Sequence, residues 1–235
     1  MKMKAAVLHS TPGKLAIEEV DIAEPGPGEV RVKIAASGLC HTDWETMHGC
    51  QPVNLPAVIG HEGAGVVESV GPGVFRVEVG DHVACSWSPN CGHCFYCDHG
   101  QPILCEQAKA ANSKGVLFDG ITRMALDGRP VHYYSLVSSH AEYNIVPEQA
   151  AVPLRRDFPL DRAALLGCAV MTGYGGAIHA GRIEPGYQRG GGGLRRRGAQ
   201  RYPGCADCGR LDHRGGGCES AEAGVGGKVR GHARG

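Results

Sequence analysis

Cys91, Cys94, Cys97 and Cys105 fall within one fifteen-residue stretch, CGHCFYCDHGQPILC, at the spacing C-x2-C-x2-C-x7-C. Four thiolates this close in sequence can surround one tetrahedral Zn²⁺. A closed all-sulfur shell leaves no position for a substrate, so the ion it holds is structural. Paired disulfides would need an oxidising compartment, and a redox cluster is the other chemistry open to such a run. A second constellation is spread along the chain: Cys40 in SGLCHTD, His61 in IGHEGAG and Cys168 in LLGCAVMTGYG. Two cysteines and one histidine leave the fourth tetrahedral position for water or substrate, as a catalytic zinc requires. Each residue alone has a plainer reading. A lone cysteine among apolar neighbours is usually a small buried hydrophobe, and a lone histidine a satisfied loop residue. Beside a four-cysteine run, the three read together as ligands.

These residues need a scaffold, and the first 150 residues read as short strands broken by turns. Residues 5–8, 29–34, 65–70 and 82–84 are β-branched or alternating, and Gly/Pro clusters such as Pro25-Gly26-Pro27-Gly28 and Gly71-Pro72-Gly73 punctuate them. Strands at this interval predict a mostly β (α+β) chain built on a barrel or sandwich. Helices are expected over 161–166, entered through Pro159-Leu160-Asp161, and over 172–180. A length of 235 residues allows one large or two small domains. The opening MKMKAAVL has no apolar run long enough for a signal peptide or a membrane span. With eleven cysteines, this points to a reducing cytoplasm, metal chemistry and no membrane partner.

The motifs GHEGAGVVESVG, SGLCHTD, GCAVMTGYG and the four-cysteine run resemble the zinc-dependent medium-chain alcohol dehydrogenases over residues 1–186, roughly the first half of such an enzyme. The resemblance implies a GroES-like β-barrel catalytic domain over 1–155, with its structural zinc lobe at 90–106. Helical segments over 156–186 would lead to a Rossmann domain that binds NAD(P). It implies two zinc ions, one catalytic and one structural, and the interconversion of an alcohol with an aldehyde or ketone. The partners implied are a small-molecule alcohol or aldehyde and, in the family, further copies of the chain. By position, Thr42 matches the hydroxyl that takes the alcohol proton, although a strand or turn hydroxyl bonded to backbone is its plainer reading. Asp43 matches the carboxylate that orients a zinc-bound imidazole, here His61, and Glu62 a carboxylate that can approach the metal. His41 matches a contact to the cofactor pyrophosphate, Thr172 a position near the nicotinamide, and Trp87 an aromatic on the substrate-pocket wall. One departure concerns the proton path: Glu45 stands where many members carry a relay histidine, with His48 close by in sequence. A glutathione-dependent formaldehyde dehydrogenase is the nearest alternative within the superfamily.

Composition changes near Gly186. From Tyr187 onward ten Lys/Arg face four Asp/Glu, a net +6 in a chain whose formal charge is zero, so the first 186 residues carry −6. The last stretch is about one third glycine with almost no Ile, Phe or Leu, too little to build a core. Its glycines neither follow a strand nor open an apolar helix, so they fail the context required of a dinucleotide fingerprint. In an adjacent reading frame, permitted codons give a strand, a Gly-x-Gly-x-x-Gly turn, an apolar helix and a second strand ending in Asp. Residues 187–235 are therefore expected to be an irregular, out-of-frame tail and the Rossmann domain truncated, which predicts little or no turnover. The nucleotide sequence across the Gly186 codon decides this. Two readings from other classes stand beside the enzyme. One is a non-catalytic zinc-binding or interaction module. The other is a zinc knuckle at Cys205, Cys208, His213 and Cys218 in an Arg/Gly-rich setting. Knuckles normally offer stacking residues, and this tail has few, so nucleic acid is not the expected partner.

Overall fold

The computed structural model describes residues 1–182. Its strands are β1 (Lys2–Leu8), β2 (Leu15–Ile22), β3 (Glu29–Ser37), β4 (Ala57–Val58), β5 (Gly63–Val70), β6 (His82–Cys85), β7 (Met124–Leu126), β8 (Arg129–Tyr133), β9 (Tyr143–Pro147) and β10 (Ala151–Leu154). Its helices are α1 (His41–Met47), α2 (Phe95–Asp98), α3 (Glu106–Lys114), α4 (Leu160–Ala163) and α5 (Ala169–Gly175). A 3₁₀ turn, Ala164–Gly167, follows α4, and a π-helical turn, Gly176–Ala180, follows α5. The architecture is the mostly β one that the sequence predicts.

Five strands close into a barrel in the order β1-β2-β7-β8-β4, and five form a sheet in the order β10-β6-β5-β3-β9. Strand β1 illustrates why the sequence folds this way. Its lysines Lys2 and Lys4 face water while Met3, Ala5 and Val7 face inward, the period-two pattern of a half-buried strand. Met3, Val7, Val20, Ile22, Met124, Val131 and Ile145 share the barrel core. A second cluster in the sheet region is largely valine: Val30, Val32, Val67, Val83 and Val146. β-branched side chains suit such a surface because their restricted rotamers pack well on a pleated sheet.

Two features of the sheet place chemistry. First, β3 pairs with β5 up to Ser37 opposite Gly63, so the segments just beyond these strand ends, one running to Cys40 and the other arriving from His61, lie side by side. Second, small residues dock the late helical segment. Ala64 on β5 packs against Ala163 and Ala164 with all three buried, which brings the 3₁₀ turn and the following Cys168 onto the sheet.

The expected helix over 161–166 is an α-turn continued by a tighter 3₁₀ turn, and the expected helix over 172–180 begins earlier, at Ala169. The earlier start follows from Cys168 acting as the boundary residue, with the Thr172 amide donating to its carbonyl. Among the described residues no single helix is long and apolar enough to cross a membrane; the apolar runs Leu160–Gly167 and Ala169–Ala180 are short and bent by 53°. The expected irregular tail, its reading-frame explanation and the Cys205–Cys218 knuckle lie outside the described residues.

Candidate metal centres

The lobe is local. Cys94 precedes α2, and Cys105 caps α3, its sulfur accepting the Ala108 amide at 3.5 Å and the Cys91 amide at 3.3 Å. Cys91 and Cys97 sulfurs are 3.9 Å apart, and those of Cys94 and Cys97 3.5 Å. A disulfide would need about 2.0 Å. Four donors at about 2.3 Å from one tetrahedral ion stand about 3.8 Å from each other. The four sulfurs, all within 4.8 Å of one another, therefore fit a shared ion. Amides of Cys97 and Glu106 pull the Cys94 thiol down to about 6, while burial and the adjoining sulfurs push Cys97 up to about 11.

The second centre is composite. Cys40 ends the segment between β3 and α1, His61 and Glu62 lie between β4 and β5, and Cys168 links the 3₁₀ turn to α5. One donor atom from each of Cys40, His61, Glu62 and Cys168 lies within 4.8 Å of the others. The Cys40 thiol is drawn down to about 3, because Cys168 and His61 donate to its sulfur and outweigh burial. Cys168 moves in the opposite direction, raised beside that sulfur. Two sulfurs, one imidazole and a carboxylate within reach match the donor preferences of zinc.

Asp43 ties the centre together. Its carboxylate is buried, 2 % exposed. One oxygen accepts from His61 Nδ1 at 3.2 Å and the other from the Cys40 amide at 2.9 Å. Burial alone would raise Asp43, but these donors hold it below the ordinary aspartate value. Burial would likewise lower His61, yet Asp43 and the Cys40 sulfur raise it to about 9. With Nδ1 committed to Asp43, Nε2 is the nitrogen left for a metal. Glu62 accepts the Ala169 amide at 3.1 Å, which fixes the start of α5 directly after Cys168, and burial raises its own pKa.

The other residues singled out from the sequence divide into two groups. Thr42 lies on α1, not on a strand or turn, with Oγ1 3.6 Å from the Cys40 sulfur. Thr172 lies on α5 with Oγ1 4.0 Å from the Cys168 sulfur. Both hydroxyls thus border the Cys40–Cys168 pair. His41 is exposed; its ring lies near Trp44, and Nε2 is 3.8 Å from Glu45. Trp87 follows β6 and is more than a third exposed. His48 stacks on Trp44 and donates Nδ1 to the Trp44 carbonyl at 2.8 Å. Glu45 is buried and accepts from Gln51 Nε2 at 3.0 Å.

Two neighbours carried no warning in the sequence. The Tyr134 ring centroid is 6.0 Å from that of His61, and its hydroxyl is 2.9 Å from Thr46 Oγ1. Cys85 lies fully buried on β6, raised to about 11 by burial, with the Asn144 amide 3.8 Å away as its weak donor. No spacing marks either residue, because Cys85 is placed by the pairing of β6 with β10 and Tyr134 by the turn of chain just beyond β8.

A family model described as the alcohol dehydrogenase GroES-like domain matches residues 26–156. The chain belongs to this family. The matched segment contains Cys40, His61 and the whole lobe, with Cys168 just beyond it. Alcohol dehydrogenase class-3 of Drosophila melanogaster is 40% identical over 184 residues, 78% of this chain and 48% of that protein. Alcohol dehydrogenase class-3 of Dictyostelium discoideum is 39% identical over 207 residues, 88% of this chain and 55% of that protein. Among solved structures, an alcohol dehydrogenase zinc-binding domain protein from Burkholderia ambifaria superposes with a TM-score of 0.72 at 40% identity, over 77% of this chain and 49% of that one. The chain spans about half the length of the curated relatives it matches.

Proposed function

We propose that this GroES-like domain is the metal-binding and proton-handling half of a zinc-dependent alcohol dehydrogenase, acting on small alcohols or the corresponding aldehydes and ketones. The observation that carries the reading is the convergence of Cys40, His61 and Cys168, from three distant stretches, with donor atoms within 4.8 Å. A chance cluster of this kind would not also have one buried carboxylate bonded to two of its members, as Asp43 is.

Zinc held by Cys40, His61 and Cys168 supplies Lewis-acid polarisation of a substrate oxygen, and a nicotinamide dinucleotide supplies the hydride acceptor. The chain's own residues do the rest on the metal side. Asp43 keeps His61 in the tautomer that presents Nε2 and holds the Cys40 backbone in place. Glu62 anchors the Cys168 turn through the Ala169 amide. Thr42, beside the Cys40 sulfur, takes the hydroxyl proton of the alcohol at Oγ1 and passes it toward solvent. With the dinucleotide bound, Thr172 would contact the nicotinamide side, and His41, exposed at the start of α1, would meet the pyrophosphate. Cys91, Cys94, Cys97 and Cys105 would hold a second zinc in the lobe, with no open position and hence a structural role.

The test reads metal and ligand binding directly, since the chain spans about half the length of its relatives. The purified full chain should hold two zinc ions by elemental analysis, and Cys40→Ala should hold one. Cobalt(II) placed at the composite centre should change its visible spectrum when a primary alcohol or an aldehyde is added. One ion or none in the wild-type chain, or a cobalt spectrum indifferent to both additives, would sink the proposal.

A further inference from the structure

His140 lies in the loop between β8 and β9, far in sequence from every proposed ligand, and its ring reaches between the two segments that deliver Cys40 and His61. The ring fills the space above Gly60. Gly60 has a left-handed φ of +95°, and a Cβ there would stand 2.5 Å from His140 Cδ2 and 2.7 Å from Cγ. Only glycine suits that position on both counts, and it is the residue immediately before His61. His140 Nε2 is 3.3 Å from the Gly38 carbonyl, two residues before Cys40. A carbonyl only accepts, so Nε2 carries the hydrogen.

The imidazole comes at a cost that a plain ring would avoid. Nδ1 is buried without a hydrogen-bond partner. A phenylalanine would fill the same space above Gly60 and leave no orphaned nitrogen. What histidine adds is the Nε2–H, and that group is spent on Gly38. The backbone around it is fixed on both sides. The His140 amide donates to Ile59 O at 3.0 Å, the Ser139 amide to Gly60 O at 3.0 Å, and the His140 carbonyl accepts from the Ala6 amide of β1 at 2.8 Å. Apolar packing does not hold the Cys40 segment, because Leu39 is 82% exposed. Polar ties must do it: Gly38 N–H to the Glu62 carbonyl at 2.8 Å, Cys40 N–H to Asp43, and the His140 bond to Gly38.

We propose that His140 is a positioning residue of the composite centre: it braces the Gly38–Cys40 segment against the Gly60–His61 turn and so sets the separation of the Cys40 sulfur from the His61 imidazole. This rests on the reading that Cys40 and His61 share a metal ion. His140 acts through the backbone of both segments.

The experiment compares His140→Phe, His140→Met and His140→Gln with wild type in the full chain. Phe and Met keep bulk and remove the donor, and Gln keeps an amide donor at about the position of Nε2. Two readouts are taken, zinc affinity of each centre by chelator competition and the cobalt(II) spectrum of the composite centre. His140→Phe and His140→Met should weaken zinc at the composite centre by about 10- to 100-fold and alter its cobalt spectrum, the range seen when an outer support of a ligand is removed. Lobe affinity should stay at the wild-type value, and His140→Gln should recover most of the loss. If Phe cannot be accommodated against Gly60 and that variant unfolds, the unbranched Met variant carries the comparison. Wild-type affinity and spectrum in the donor-free variants, with two ions bound in wild type, would overturn the role of His140 alone. A wild-type chain that binds only the lobe ion would remove the composite centre and this role with it.

Discussion

The lobe and the composite centre both rest on cysteine sulfur but recruit their donors differently. In the lobe, all four sulfurs come from residues 91–105, so closing the site costs only the ordering of one short loop, and loop-closure entropy grows slowly with loop length. In the composite centre, Cys40 and Cys168 are separated by more than half the chain. Their approach needs β3 and β5 in register, the Ala64–Ala163–Ala164 contact, and the Asp43 and Glu62 tethers. The first centre is a property of a segment. The second is a property of the fold, and anything that loosens the fold should reach it first.

The most direct way to break this contrast is to delete ligands. His61→Ala and Cys97→Ala should each remove one complete zinc equivalent by elemental analysis, and the double variant both; any cross-loss would mean the centres are coupled. A peptide of residues 88–108 should bind one zinc tightly, by competition with a chromophoric chelator. A peptide of residues 36–66, with Cys40 and His61 but no sheet, should not. Ile59→Ala empties a fully buried position one residue before Gly60 and should destabilise the chain by about 2–5 kcal/mol in urea unfolding. Composite-centre metal should then leave at a lower urea concentration than lobe metal, and simultaneous release would erase the distinction. The smallest effect is expected for Asp43→Asn, a fall of about 10- to 100-fold in zinc affinity at the composite centre with the lobe unchanged. Its sign with pH is fixed. Asp43 is held below its unfolded value, so its contribution is present above a pH of about 4 and is lost as pH falls through the lower folded value. The acid limb of unfolding should be shallower in the Asn variant.

How much of this was legible in the sequence follows the same division. The lobe could be read from its spacing, because a short loop leaves little freedom for four cysteines. Strands β1, β3, β5 and β6 were visible through their β-branched runs, although each is longer by one to three residues than its apolar stretch suggests. Helix α3 is hard to read from sequence despite Glu106 in its first turn, Lys114 in its last and a left-handed Gly115 beyond it, a set of ordinary start and stop signals. Its polar composition gives it no apolar stripe to attract notice. Strand β2 is hard to read for a related reason: three charged residues, Glu18, Glu19 and Asp21, interrupt it, Ile17 points to water, and only Val20 and Ile22 mark its buried end. For the composite centre, residue types pointed to Cys40, His61 and Cys168, and the family pattern to Asp43 and Glu62. Tyr134 and His140 could not be found that way, since a turn of chain with several left-handed residues, Ser135, Leu136 and Ser138, brings them to the site.

Cys85 has a practical consequence. It sits at the end of β6, fully enclosed and reluctant to ionise, while Cys40 is partly accessible and its thiol is drawn down by Cys168 and His61. An electrophilic label meets these two sulfurs on very different terms. Modification of Cys40 therefore reports on the state of the centre while the domain stays intact, and modification of Cys85 marks the moment the whole domain opens. One chain thus carries a built-in clock for local events and another for global ones.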